Sequence, residues 1–212
     1  MLESFAKVQL FKYLFKDKNT GLTDKEMAHI SFSYDGDFEP MCIELMMKQK
    51  RNQEEYKALK HFKNSIFFEM KVPLALEDRY LWLNYALTFA NKVQIIELSP
   101  QKGLALKGFN QDYKSSAYPQ KILFLDELRY FYRLPYLEVC ICHQDLDNYA
   151  NHQKEISMTR KQLEKEYDYI LSIREKAHLP RVYFFLCKSE VIYECLKHNL
   201  EVFKQSAKDL WV

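Results

Sequence analysis

Apolar residues along this chain follow one rhythm up to about residue 64 and another beyond it. Phe5, Val8, Phe11, Leu14 and Phe15 recur at helical spacing behind a Ser4 cap, with Lys7, Lys12 and Lys16 on other faces. Asp17 to Gly21 breaks that helix. Thr23-Asp24-Lys25-Glu26 has the spacing of a capping box and predicts a short helix through Met27 and Ile30. Asp35-Gly36 marks a turn, and Pro40 suits the first position of a helix over Met41 to Phe62.

From there short strands alternate with helices. Ser65 to Val72 is a strand interrupted by Pro73. Leu76 to Ala90 is helical, with Glu77 and Asp78 at its favourable N-terminal end. Val93 to Leu98 and Leu104 to Phe109 are strands joined by the turn Ser99 to Gly103. Asn110 to Pro119 is a loop, Lys121 to Leu125 a strand, and Asp126 caps a short aromatic helix that ends before Pro135. Leu137 to Cys142 is strand-like, Gln153 to Ala177 a long helix, and Arg181 to Cys187 a strand after Pro180. If both strands join one sheet, this order makes a parallel crossover. Ser189 caps a last helix carrying Ile192, Cys195, Leu196, Val202 and Phe203. The pattern predicts an α+β fold with a helical N-terminal third, a mixed remainder and a C-terminal β-α-β-α unit. Residues 1–64 form a helical region resembling helix-turn-helix order, and residues 65–212 a mixed region, the two compatible with one compact domain.

Composition narrows the classes. A chain of 212 residues can bury roughly 70% of its extended surface, so neither disulfide nor structural metal is needed to hold it together. Its 31 basic and 29 acidic side chains leave a formal charge of +2, which excludes a histone-like or highly acidic mode for the whole chain. Fifteen Tyr and fifteen Phe supply a packed core, while four Gly argue against a glycine-cradled nucleotide site. Cysteines at 42, 140, 142, 187 and 195 leave one unpaired in any scheme, which fits reduced thiols better than a disulfide framework. The first residues lack the pattern of a secretory signal, and the uncharged stretch from Tyr80 to Asn91 is short for a membrane helix, so a cytoplasmic protein without membrane contact is expected.

Charge is unevenly distributed. Between Lys48 and Lys63 stand six Lys/Arg and two acids, a local excess of +4. Lys48, Lys50, Arg51, Lys57 and Lys60 on a helix could contact nucleic-acid phosphates, releasing counterions, although a solvated helix face has the same composition. Glu69-Met70-Lys71 ends an apolar strand. It resembles half of the PD-(D/E)xK nuclease motif, in which alternate strand residues share a metal and a water. With Asp37 as the upstream acid, the resemblance implies a Mg-dependent nuclease. An exposed salt pair is the plainer account. Cys140-Ile141-Cys142-His143, Cys187 and Cys195-Leu196-Lys197-His198 match no standard zinc spacing, and their apolar company favours burial over metal binding. Tyr130, Phe131, Tyr132 and Tyr136 either fill the core or anchor a protein partner.

Leu83-Asn84-Tyr85, Val93 to Pro100, Leu104 to Phe109 and Leu123 to Leu128 follow a strand order that resembles the ligand-sensing domain of WYL transcriptional regulators. Leu104-Ala105-Leu106 replaces the Trp-Tyr-Leu tripeptide, and no binding residue is carried over; the resemblance implies a regulator. The chain has no P-loop, G-x-G-x-x-G, H-E-x-x-H or G-x-S-x-G motif. The expected function is a non-enzymatic regulatory or binding protein acting on nucleic acid or a nucleic-acid-processing complex, with no cofactor. The alternatives are the Mg-dependent nuclease and a protein-protein inhibitor or adaptor.

Overall fold

The computed structural model describes residues 5–16, 22, 25–32, 65–68, 70–106, 119–146, 151–176, 180–208 and 211–212. In chain order it contains α1 (Phe5–Lys16), β1 (Met27–Ser31), β2 (Ser65–Phe68), α2 (Leu76–Phe89), β3 (Ile95–Ser99) and β4 (Leu104–Ala105). A 3-10 turn at Pro119–Lys121 leads to β5 (Leu123–Phe124), α3 (Leu125–Tyr132), β6 (Val139–Asp145), α4 (His152–Leu163), β7 (Tyr169–Glu175), β8 (Arg181–Cys187) and α5 (Glu190–Ser206). One sheet has the order β2-β1-β3-β6-β8-β7, and β4 pairs with β5 in a separate short ladder. β2, β1, β3 and β6 are mutually parallel. β8 is antiparallel to both β6 and β7, so β7 runs with the parallel set.

Successive strand residues face opposite sides, and two cores follow from that alternation. Ala28, Ile30, Ile96, Leu98, Cys140, Cys142 and Phe184 pack with Trp82 and Phe89 of α2, Leu128 and Phe131 of α3, and Leu163 of α4. Met27, Ile95, Val139, Ile141, Phe185 and Cys187 pack with Leu10, Phe11 and Leu14 of α1 and Leu196, Leu200 and Phe203 of α5. Helices therefore cover both faces of the sheet. Trp82 anchors the first core, its ring 5.2 Å from Phe32 and 5.9 Å from Phe68, while its indole N–H donates to the Met70 carbonyl at 2.9 Å. An indole has a single donor, and satisfying it allows the ring to be fully buried.

The mixed helix and strand content, α1, α2, β3 and the cap at Ser189 agree with the sequence patterns; Ser189 Oγ accepts from the Ile192 amide at 3.4 Å. Three expectations are overturned. The helical N-terminal third is interrupted, because the residues expected to carry a short helix through Met27 and Ile30 form β1, whose Met27 to Ile30 are all buried. A strand covered on both faces has no polar alternation to betray it. The long helix expected over Gln153 to Ala177 ends at Leu163, and the aromatic, β-branched run Tyr169–Glu175 becomes β7. The expected β-α-β-α end is consequently β-α-β-β-α, and Leu137 to Cys142 meets Arg181 to Cys187 in antiparallel register, not across a parallel crossover. The helix over Met41 to Phe62 and the caps at Ser4 and Thr23 lie outside the described residues.

Candidate functional site

β1 has β2 on one side and β3 on the other, so the strand order reverses between β1 and β3. In open sheets of this kind, loops leave such a switch point in opposite directions and ligands bind beside the carboxyl ends of the strands. The register places Ser31 opposite Ser99 at that edge and His29 opposite Glu97 one step inside it. On the face covered by α1 and α5, the sheet is apolar at the amino end of the parallel strands, with Met27, Ile95, Val139 and Cys187. It becomes polar at the other end, with His29, Glu97, Ser99, His143, Asp145, Tyr183 and Arg181.

Glu97 is the hub of this polar strip. Its Oε1 accepts from Lys7 Nζ at 2.7 Å and from Ser99 Oγ at 3.1 Å, and its Oε2 lies 2.6 Å from His29 Nδ1. Burial by itself would raise the carboxyl, but the charge of Lys7 and the bonds and charge of His29 outweigh it and hold the group far below the usual carboxylate range. An ionised carboxylate only accepts, so His29 Nδ1 carries the proton. His29 Nε2 is buried with no hydrogen-bond partner, and the ring stacks on Phe67 with centroids 4.6 Å apart. With Nδ1–H held by the carboxylate, Nε2 is the ring position left open, an acceptor in the neutral ring and a donor in the imidazolium.

His143 enters from β6 on the same face. Burial, aided by the positive charges of Arg181 and Lys7, holds its pKa well below the ordinary imidazole value, and it bonds the backbone of Pro100. A proline offers only its carbonyl, so the His143 ring donates; its Nε2 is buried without a partner, which assigns the donation to Nδ1. Asp145 accepts from Arg181 Nε at 2.7 Å at the end of the strip. The segment after β3 is pressed onto this end of β6: Gly103 has φ +81, and a Cβ there would stand 2.8 Å from Gln144 Cα. Only glycine meets both conditions without strain.

The other face carries a second buried ion pair. Arg79 Nε and one terminal nitrogen reach the two oxygens of Glu127 at 2.6 and 2.8 Å, and the guanidinium also donates to the Pro119 and Ile122 carbonyls. Glu127 Oε2 also accepts from the Phe124 amide at 3.1 Å. This network ties α2 to the start of α3, and its donors and acceptors are taken up within the protein.

Of the residues singled out in the sequence, Asp37, Lys48, Lys50, Arg51, Lys57, Lys60 and Glu69 lie outside the described residues. Lys71 follows β2 and emerges at the same edge of the sheet as Ser31 and Ser99. The cysteines divide between the two faces: Cys140 and Cys142 pack in one core, Cys187 and His143 on the opposite face. Among the described residues, no group of three or more His, Cys, Asp or Glu side chains is placed to hold a metal. No described helix is long and apolar enough to cross a membrane. Phe131 is buried, Tyr132 donates to the Cys187 carbonyl at 3.0 Å, and Tyr130 and Tyr136 are exposed. Lys7, expected on a face of α1 other than the apolar one, is buried against Glu97. Glu97 itself was detectable as the one charge within the apolar run Val93 to Leu98.

Comparison with protein-family models, with curated proteins and with solved structures gives no match. The first element of the likeness to WYL regulators also fails, because Leu83-Asn84-Tyr85 lies in the middle of α2 and not in a strand.

Proposed function

We propose that the protein binds a small polar molecule at the carboxyl ends of β1 and β3, and that His29, held at Nδ1 by Glu97, makes a hydrogen bond to it through Nε2. The observation that carries this is the His29 imidazole, whose Nδ1 is 2.6 Å from Glu97 while its Nε2 is buried without a partner at the switch point. A buried polar atom without a partner is uncommon in a native interior, and ligand sites are among the places where it occurs. The ligand class that fits is a small molecule with a hydroxyl, which can donate to Nε2 of a neutral ring or accept from that of an imidazolium. The test is a screen of such compounds against the full chain, with imidazole 15N spectra as the readout. Ligands that move the His29 Nε2 resonance and lose affinity in His29→Gln support the proposal. Ligands that bind equally well to His29→Gln, or a screen that moves neither imidazole, would count against it.

Nucleic-acid binding is the second function we put forward, in a regulatory protein or a component of a processing complex. It is favoured by the +4 surplus between Lys48 and Lys63. β1, the last described strand before that segment in the sequence, ends at the switch point. Affinity should fall steeply with salt, and Lys50→Gln with Arg51→Gln should flatten the slope by about two phosphate contacts. An unchanged slope would remove this surface from consideration.

A further inference from the structure

A cavity of about 380 Å³ lies at the opposite edge of the sheet, lined by Arg129, Tyr132, Arg133, Glu166, Tyr167 and Lys188. It sits where β8 ends beside the first residues of β6 and β7. Its size falls within the range of small-ligand pockets. We infer that this cavity binds the phosphate monoester of a small aromatic metabolite, of the size of a nucleoside monophosphate.

The charges around it are not balanced. Arg129 is engaged by Glu166 and Asp126, so the one lining acid is already matched. Arg133 and Lys188 form no ion pair among the described residues. Lys188 rests 4.3 Å from the centre of the Tyr132 ring, and partial burial pulls its pKa below the ordinary ammonium value. Two cations outside any ion pair suit a dianion better than a carboxylate of single charge, even with Asp168 acting on Tyr132 from nearby.

The uncharged lining points the same way. The partly exposed Tyr132 ring, held edge to face by the buried Tyr167 with centroids 4.6 Å apart and planes at 74°, is the aromatic surface against which a ligand ring can pack. The Tyr132 hydroxyl is taken by the Cys187 carbonyl. The Tyr167 hydroxyl is buried with no partner, and burial holds the phenol well above its usual pKa, so it remains a donor at neutral pH. An acceptor brought by a ligand would satisfy it.

The experiment is calorimetric titration of the full chain with inorganic phosphate, adenosine 5′-monophosphate and adenosine. The monophosphate should bind more tightly than phosphate, and adenosine should give no measurable heat. Arg133→Gln and Lys188→Gln, both at exposed positions, should each weaken the monophosphate by about tenfold, the scale of one lost charge-assisted bond. Tyr167→Phe removes no existing bond and should weaken binding several-fold without lowering the thermal midpoint of the free protein. The inference is overturned if neither phosphate nor the monophosphate binds at millimolar concentration. Binding that survives both charge removals, or adenosine binding as tightly as its phosphate, also overturns it.

Discussion

Oε2 of Glu97 and Nδ1 of His29 are 2.6 Å apart across directly paired positions of β1 and β3, in a region where Glu97 keeps 2% of its exposure. The other oxygen of the same carboxylate holds Lys7. Removing one member leaves a buried charge unmatched. Glu97→Gln should therefore cost about 3–5 kcal/mol in urea unfolding, and the double replacement Lys7→Met with Glu97→Leu should recover much of that loss. A double variant no more stable than the single one would mean that His29, not Lys7, is the main beneficiary of the carboxylate.

Acid should weaken the fold in two stages. Below about 6.5 the unfolded His143 takes up a proton that the folded, neutral imidazole refuses, so the unfolded state binds more protons and stability falls as pH falls. Below about 4.5 the same sign applies to Glu97, whose folded carboxyl stays ionised after the unfolded one has protonated. Denaturant midpoints measured across pH should show both slopes. His143→Gln should flatten the first and leave the second in place.

Gly103→Ala should destabilise the protein by at least about 1–2 kcal/mol, the cost of a left-handed backbone for a residue with a Cβ, with further loss from the 2.8 Å approach to Gln144 Cα. Because the segment Pro100 to Gly103 also supplies the acceptor for His143, the variant should shift the His143 Nδ1 resonance while leaving that of His29 close to its wild-type position. Equal shifts at both imidazoles would show that the strip responds as one unit.

Thiol labelling should separate the cysteines by burial. Cys142 and Cys187 are pushed up to about 12 by desolvation, and Cys140 well above its ordinary value by the same cause. Peptide mapping after alkylation at neutral pH should find Cys195, which is half-buried, modified before these three. Alkylation of Cys140 at the rate of Cys195 would indicate frequent opening of the core between the sheet and α3.

The sequence pattern was legible where an element shows one face to water. α2 and α5 alternate buried and exposed positions with helical period, and both have their acidic first turns. It was misleading at β1, where all positions from Met27 to Ile30 are buried and a capping-box spacing stood just upstream. It was misleading again at β7, because Ile156, Leu163, Tyr167 and Ile170 sit close enough to helical spacing to carry the eye past the end of α4. The polar strip was hidden for another reason. Its members come from α1, β1, β3, β6 and β8, and their pairing depends on strand order, which one-dimensional spacing does not encode. Only Glu97, a lone charge in an apolar run, announced itself locally.

The reversed strand gives the sheet a definite order of completion. β8 lies between β6 and β7, yet it is made after both of them. β7 therefore has no lasting neighbour on that side when it leaves the ribosome. With a short connection to β8, the two can pair as a local hairpin on a microsecond scale and dock against β6 as a unit. Arg181 and Tyr183 arrive with that hairpin, so the polar end of the sheet closes late, after Lys7, His29 and Glu97 have already been synthesised. A chain stalled before residue 181 would leave the exposed rim of β6 open to pairing with any strand nearby, and nascent-chain aggregation should peak at that length.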